Sequence, residues 1–560
     1  NNGAGSFMNM LSDTRPNEYP IFIPGENVGK PEEEFVLGGT ANNRTNPYGE
    51  LVRDGSIDRE YSYVQSDFAL NIDMNRWITG LSLRPMVTFD TYNFINTTLN
   101  GTYKVWEPYA TDDPDVPIKY NPYGEDFRAV SQSAGIATTM RNYAFSVTGT
   151  YNRSFGMHDI HALAIFYGQR KESSSGSEDF RWSQDLKRLN MGGTVNYMYK
   201  KRYIAEASVT RTGVSSFAPG NRFGVFPTFG LGWVISDESL LQGIEWLDYL
   251  KLRTSYGIQG STDYNAEGLF TPYLYQTLWE SSGNYNSMGG ENLRRAQQIQ
   301  AGNPDIGFQK NHELNTGVDF LFFQSLKVSA GYFNTRLDGA MATAADAIPG
   351  VSGKGGTLMM QNYKQFKTYG WEGEATYKNR AGNLHYSLSF NIAYGKAKVT
   401  READPDYPEN LKGLRKVTNL GDVRGLHYIG TFQSESEIAE SPLQLNGEPV
   451  SVGDLKYTDT NNDGYVDDAD RVIIGNTIPS IQYGITLKLN WKGFNLDLLG
   501  YGLSGFDQQL NNKYYQIYGN RKYSRVLIDG LPNGNPHPIL TTLSRSNNYL
   551  SSDYWMVDGS

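Results

Sequence analysis

Asp459, Asn461, Asp463, Gly464, Tyr465, Asp467 and Asp470 stand at positions 1, 3, 5, 6, 7, 9 and 12 of one loop within YTDTNNDGYVDDADRVIIGN, residues 457–476. That spacing suits calcium, which takes about six to eight oxygen ligands and needs a glycine at the sharp sixth position. Asp459, Asn461 and Asp463 offer side-chain oxygens, Tyr465 a backbone carbonyl, and Asp467 a direct or water-mediated contact. Asp470 closes the loop where a bidentate Glu is usual, so the shorter side chain predicts weaker binding. The plain alternative is a solvated acidic turn; five acceptors in register with a glycine favour Ca2+. The flanking residues are β-branched and aromatic rather than helix-forming. The expected role is therefore a structural staple that locks a long, otherwise floppy loop between strands.

Other chemistry is sparse. The histidines (158, 161, 312, 385, 427 and 537) are scattered. His158 and His161 are three apart, which on a strand puts them on opposite faces and argues against a zinc pair. GVSGKGG, residues 350–356, lacks the spacing and context of a phosphate loop, and no GxSxG elbow is evident. Cysteine is absent, so neither a disulfide framework nor a thiolate metal site is possible. No catalytic residues are assigned and an enzyme is not expected. With 50 Lys plus Arg against 60 Asp plus Glu, the net charge of −10 gives no footprint for nucleic acid. Aromatics lie in long polar stretches: Trp106, Tyr109, Tyr120, Tyr123, Trp279, Tyr514, Tyr515 and Tyr518. They are weak candidates for stacking on sugar rings or lining a peptide path. Their ordinary alternative is packing loops against each other or against a covering protein.

The elements that must position these residues are strands. Aromatics make up 13% of the chain, and no apolar run approaches the ~18 residues of a spanning helix. Composition alone fits either a soluble β protein or a transmembrane β-barrel. In SDFALNIDM, Phe68, Leu70, Ile72 and Met74 alternate with Asp67, Ala69, Asn71 and Asp73. In GLSLRPMVTFD and NYAFSVTGTYN the same period of two recurs, giving each strand an apolar and a polar face. Seven hairpins are read at 61–90, 141–170, 189–212, 225–257, 311–337, 368–397 and 481–503, about fourteen strands. Their internal turns are mostly tight, as in KKR, RAGN and the lone KG of Lys492–Gly493. Between hairpins run long polar stretches, including 91–140, 258–310, 398–480 and 504–553. Short turns on one rim and long loops on the other are the habit of an outer-membrane barrel, not of a sandwich. Residues 1–60 read as an extracellular loop region. Residues 61–560 read as a partial transmembrane barrel, with extracellular loop 398–480 carrying the calcium-type loop 459–470. Both ends fall on the long-loop side, so further strands are expected beyond each end.

Several long stretches then match a family. VNYMYKKRYIAEASVTRTGVSSFAPGNRFGVFPTFGLGWVISDESLL, GTFQSESEIAESP, GDLKYTDTNNDGYVDDADRVIIGNTIPSIQYGITLKLNWKGFNLDLLGYGLSG and SDYWMVDGS resemble the barrel of SusC/RagA-like TonB-dependent transporters. The resemblance covers most of the chain from about residue 60. It implies an all-β, large antiparallel barrel, 22-stranded in the family, in the outer membrane of Bacteroidota. It implies a plug in the lumen, a SusD-like surface lipoprotein as lid, and import driven by TonB and its inner-membrane motor. Substrates in the family are oligosaccharides or oligopeptides. No plug-like region, TonB box or final strands are found in this sequence. A passive porin-like channel and an outer-membrane hydrolase are the competing readings. The second needs a nucleophile–base pair that the residues do not supply.

Overall fold

The computed structural model describes residues 19–53, 55–131, 136–175, 184–241, 243–262, 272–286, 292–343, 359–402, 408, 410–411, 419–444, 447, 449–509, 549–551 and 554–559. Seven antiparallel hairpins dominate it. They are β1 (Gly55–Ala69) with β2 (Leu81–Thr102), β3 (Ile136–Phe155) with β4 (His158–Ser175), and β5 (Leu186–Tyr199) with β6 (Tyr203–Val214). Next come β7 (Phe223–Val234) with β8 (Leu247–Ser261) and β9 (Gln309–Phe322) with β10 (Leu326–Thr343). The last are β11 (Met360–Ala381) with β12 (Leu384–Arg401) and β13 (Ile481–Trp491) with β14 (Phe494–Ser504). Each hairpin pairs with the next in chain order, and the sheet is closed as a barrel. Every hairpin expected from the alternation is present. β1 begins at Gly55, ahead of the expected residue 61, and β2 runs on to Thr102. Twenty-two residues at about 3.3 Å each far exceed the ~9–11 needed to cross a bilayer, so β2 projects beyond the membrane.

Register assigns the faces. Phe89, Val87 and Leu83 of β2 point with Tyr143, Phe145 and Tyr151 of β3, while Asp90, opposite Asn142, points the other way. Asn142 Nδ2 donates to Asp90 (2.8 Å) and Gln169 Nε2 donates to Asn142 (2.8 Å), a polar ladder along the interior. On β6 and β7, Val209, Phe229 and Leu231 lie on the apolar face, with Phe229 59% and Leu231 62% exposed. Leu81, Ala162, Val195, Val209 and Phe229 line one continuous apolar trough on this outer surface. Such a band is tolerable only against hydrocarbon, which also requires every backbone group in it to be paired.

The tight turns share one rim. There Phe155 stacks on His158 (5.4 Å), His158 meets Tyr199 (5.1 Å), Tyr199 meets Tyr203 (6.4 Å) and Tyr203 meets Trp233 (6.5 Å). This is an aromatic girdle at a membrane interface. Just outside it, Glu238 accepts from the Tyr203 hydroxyl, Trp233 Nε1 and Arg202. Those partners, Tyr203 first, hold its carboxyl below the ordinary range. His161 points inward to Asn152, away from the outward His158, as their spacing required.

Full burial is found mainly in the loops. Val214, Phe217, Leu274, Ile306 and Met341 form one cluster at the long-loop rim. Phe22–Pro24, Phe35–Gly38, Val105–Ala110 and Ile118–Tyr123 form a four-stranded sheet outside the barrel. Helix α1 (Pro47–Val52) is tied to it by the fully buried Asn46. That side chain caps Tyr48 and Gly49 and donates to the carbonyls of Ile21 and Gly38.

Lysine on the outward face has no aqueous escape near mid-bilayer, whereas on the lumen face it meets water. Phe229→Lys is therefore expected to cost about 2–4 kcal/mol of folding stability in lipid vesicles, and Ser255→Lys far less. Denaturant unfolding of the two variants side by side checks this.

Candidate functional site

The lumen wall carries the barrel's polar chemistry. Arg253 of β8 lies 3.3 Å from Asp319 of β9, which accepts from the Ser329 hydroxyl of β10 at 2.6 Å. Beyond them, Glu372 and Glu374 of β11 face Ala393 and Asn391 of β12. Arg253, Ser329, Glu372, Glu374, Asn391 and Ala393, with Gln482 and Tyr501, line a recess of about 620 Å³. Glycines at 317, 331 and 484 keep the wall thin between the charges. A Cβ on Gly317 would meet the Arg253 guanidinium at 2.8 Å, and one on Gly484 the Asn391 amide at 2.5 Å. The arrangement offers alternating donors and acceptors to a polar solute and no nucleophile–base pair.

Nearer the long-loop end, the inward face of β1 and β2 becomes aromatic. Tyr61 and Tyr63 share the face of Gln65 and Asp67, linked by hydrogen bonds from Tyr63 to Gln65 and from Gln65 to Asp67. Tyr61 stacks on Phe94 at 5.0 Å and lies 6.3 Å from Tyr92. Tyr61 and Tyr63 are 58% and 60% exposed, so their rings are open to a ligand.

The sequence-derived aromatics do not come together. Trp106 and Tyr109 belong to the four-stranded sheet, with Tyr120 opposite Pro108 and Tyr123 beside the Arg44 guanidinium at 5.6 Å. Trp279 lies opposite Gln298 on a separate ribbon, Leu278–Asn286 with Asn292–Gln300, and is 64% exposed. Tyr514, Tyr515 and Tyr518 lie outside the described residues. The lumen-wall residues Arg253, Glu372 and Glu374 lie in LKLRTSYG and YGWEGEATYK, whose alternation alone does not say which of them meet. Their polar positions, taken on the face opposite the apolar ones, carry the signal.

Loop 459–470 folds as a tight turn on a small body of its own. Asp422–Gly425 pairs with Val472–Asn476, and Tyr428–Thr431 with Leu455–Tyr457. Leu426, Leu455, Tyr457 and Val466 form its buried core. Helix α2 (Glu435–Glu440) is capped by Ser434. The Gln433 amide and Lys456 ammonium hold the Glu437 carboxyl below its ordinary range. The stretch therefore carries a small apolar core of its own beside the acidic turn.

Within the turn, Gly464 takes φ +90°, as the sixth position requires. Asp459 accepts from the amides of Asn462 (2.6 Å), Asp463 (3.3 Å) and Gly464 (2.9 Å). Asp463 accepts from Tyr465 N and from Asn461 Nδ2, and Asp467 from Ala469 N. Asp470 is fully buried and accepts from Thr460 N (2.7 Å), Thr460 Oγ1 (3.0 Å), Asn461 N (3.3 Å) and Asp467 N (2.9 Å). The donor set is all oxygen, as calcium prefers. The carboxylates are nevertheless shared out among the loop's own amides. Among the described residues, no three His, Cys, Asp or Glu side chains gather as an ion cage.

No family model matches the chain. It is 27% identical over 362 residues to the TonB-dependent receptor P39 of Formosa agariphila, covering 58% of this chain and 33% of that protein. It is 25% identical over 384 residues to the TonB-dependent receptor SusC of Bacteroides thetaiotaomicron, covering 66% of this chain and 36% of that one. Its similarity is thus to TonB-dependent receptors, SusC among them. The chain spans about a third of the length of these curated relatives. The fold agrees: the RagAB peptide importer superposes with a TM-score of 0.63 at 17% identity, over 91% of this chain and 56% of that one. The apolar band accordingly lies in the outer membrane.

Replacing Asp470 takes the acceptor from the part-buried amides of Thr460, Asn461 and Asp467, at about 0.5–1.5 kcal/mol for each. Asp470→Ala is expected to raise hydrogen exchange across residues 455–476 while leaving the barrel strands protected. Mass-spectrometric exchange on the two proteins reads this directly.

Proposed function

We propose that the full-length receptor imports oligosaccharides or oligopeptides across the outer membrane, driven by TonB and its inner-membrane motor. A SusD-like surface lipoprotein would close over the long-loop mouth. The observation that carries this reading is a closed barrel whose wall is polar inside and apolar outside, in a chain related to TonB-dependent receptors. Tyr61 and Tyr63 would stack on the solute near the mouth, and Arg253, Asp319, Glu372, Glu374 and Asn391 would pass it along the wall. Selection then rests on shape and hydrogen bonding rather than on bond breaking. The solved relative bears the name of a peptide importer; SusC and P39 are named only as receptors.

The competing reading is a passive channel, which needs no energy source. Cells carrying the full-length gene are expected to accumulate labelled oligosaccharide or oligopeptide, and to lose that accumulation when TonB is deleted. Unchanged uptake without TonB would favour the passive channel. Removing both rings, Tyr61→Ala with Tyr63→Ala, is expected to lower uptake roughly tenfold through lost stacking.

Calcium at Asp459, Asn461, Asp463, Tyr465, Asp467 and Asp470 belongs to the same proposal as a structural ion. Its support is the oxygen donor set, the motif spacing and the positive φ of Gly464. Binding would draw the Asp459 and Asp463 oxygens off the backbone amides. Calorimetric titration is expected to give heat with the native protein and none with Asp459→Ala plus Asp463→Ala; silence from both would mean a plain turn.

A further inference from the structure

The outward face of β10, β11 and β12 changes character in steps toward the exterior. At the outer aromatic belt, Tyr332, Trp371 and Tyr394 face one another across the strands, Trp371 stacking on Tyr394 at 5.8 Å. Two residues further out on each strand, Asn334, Tyr369 and Lys396 form the next row. Two residues beyond that, Arg336, Lys367 and Lys398 stand directly opposite one another. A strand rises about 6.6 Å per two residues, so the basic row lies roughly 13 Å outside the belt, and Lys396 roughly half as far. That is the level of the lipid headgroups.

Like charges placed directly opposite destabilise a sheet unless something answers them. Arg336 is answered: Asp338 lies 2.7 Å away. Among the described residues, no carboxylate pairs with Lys367, Lys396 or Lys398. Aromatic rings only cushion them. Lys367 and Lys398 lie 5.9 and 5.6 Å from the Tyr369 ring, and Lys396 lies 6.0 Å from Tyr394. Lys396 and Lys398 are exposed and Lys367 half-buried. Elsewhere on the outward face the pattern differs. Arg170 on β4 is bridged by both Glu172 and Asp185. The lysine cluster is thus a local excess of positive charge that the protein leaves for something else to neutralise.

We infer that Lys367, Lys396 and Lys398 bind the phosphorylated headgroup of an outer-leaflet glycolipid. Lys367 of β11 stands opposite Lys398 of β12, about 4.8 Å across the strands, and Lys396 lies about 6.6 Å below Lys398 on β12, so the three ammonium groups can reach one phosphate headgroup. Tyr369, Trp371 and Tyr394 would support the sugar and the upper acyl chains beneath it. The site depends on the membrane placement of the barrel and not on what the receptor imports.

The test uses the full-length protein in detergent and a bisphosphorylated lipid A-type glycolipid, with native mass spectrometry counting retained lipid. Wild type is expected to hold the phosphorylated glycolipid and to release its dephosphorylated form. The Lys367→Gln, Lys396→Gln, Lys398→Gln triple variant is expected to weaken retention on the order of a hundredfold, roughly fivefold for each lysine near an anionic surface. Lys200→Gln with Lys201→Gln, on the opposite rim, should leave retention unchanged. Heat-modifiable gel mobility establishes that each variant retains the barrel. Equal retention by wild type and the triple variant would overturn the inference. So would displacement of the lipid by millimolar inorganic phosphate, which would mark the site as one for the free anion.

Discussion

A backbone that crosses hydrocarbon must satisfy each of its own N–H and C=O groups, because the solvent there offers no partner. Everything else in this barrel follows from that requirement. Sheet closure meets it, and closure in turn obliges each strand to present one face to lipid and one to water. The alternation of Phe89 with Asp90, or of Phe229 with Thr228, is that obligation written residue by residue. Gly317, Gly331 and Gly484 serve the same geometry from within, leaving room for Arg253, Glu372 and Asn391 on a wall that must also stay continuous.

The usual arrangement of burial is thereby displaced. Barrel side chains lie between lipid and a wet lumen, so few of them leave both. The residues that pack against one another as in a soluble protein are in the loops: Phe217 with Ile306 at the mouth, and Tyr457 with Val466 beneath the acidic turn. Long excursions keep fixed shapes because they carry small apolar cores of their own. The buried carboxylate of Asp470 then sets the turn geometry by collecting four donors that would otherwise be stranded.

The exterior is organised by depth. Aromatic rings mark both interfaces, Tyr199 to Trp233 on the tight-turn side and Trp371 with Tyr394 on the other. Charge resumes immediately beyond them: Arg202 and Glu238 neutralise one another at one rim, while Lys367 and Lys398 stand unpaired by carboxylates at the other. The contrast follows the chemistry outside, since anionic headgroups can complete a basic cluster that the protein leaves open.

All seven hairpins, their order and the sorting of short and long connections were legible in the sequence. Period-two patterning and turn residues are local properties, and a wrong register would turn a whole apolar face into water. The oxygen-rich loop was legible as a motif for the same reason. What the tertiary structure alone decided was proximity. Arg253 and Asp319 are 66 residues apart and meet because β8 and β9 pair across a long loop. Arg336 and Lys367 become neighbours only because β10 and β11 pair across a long loop. Which candidates share a site is a question of pairing between distant segments, and no local pattern carries that information.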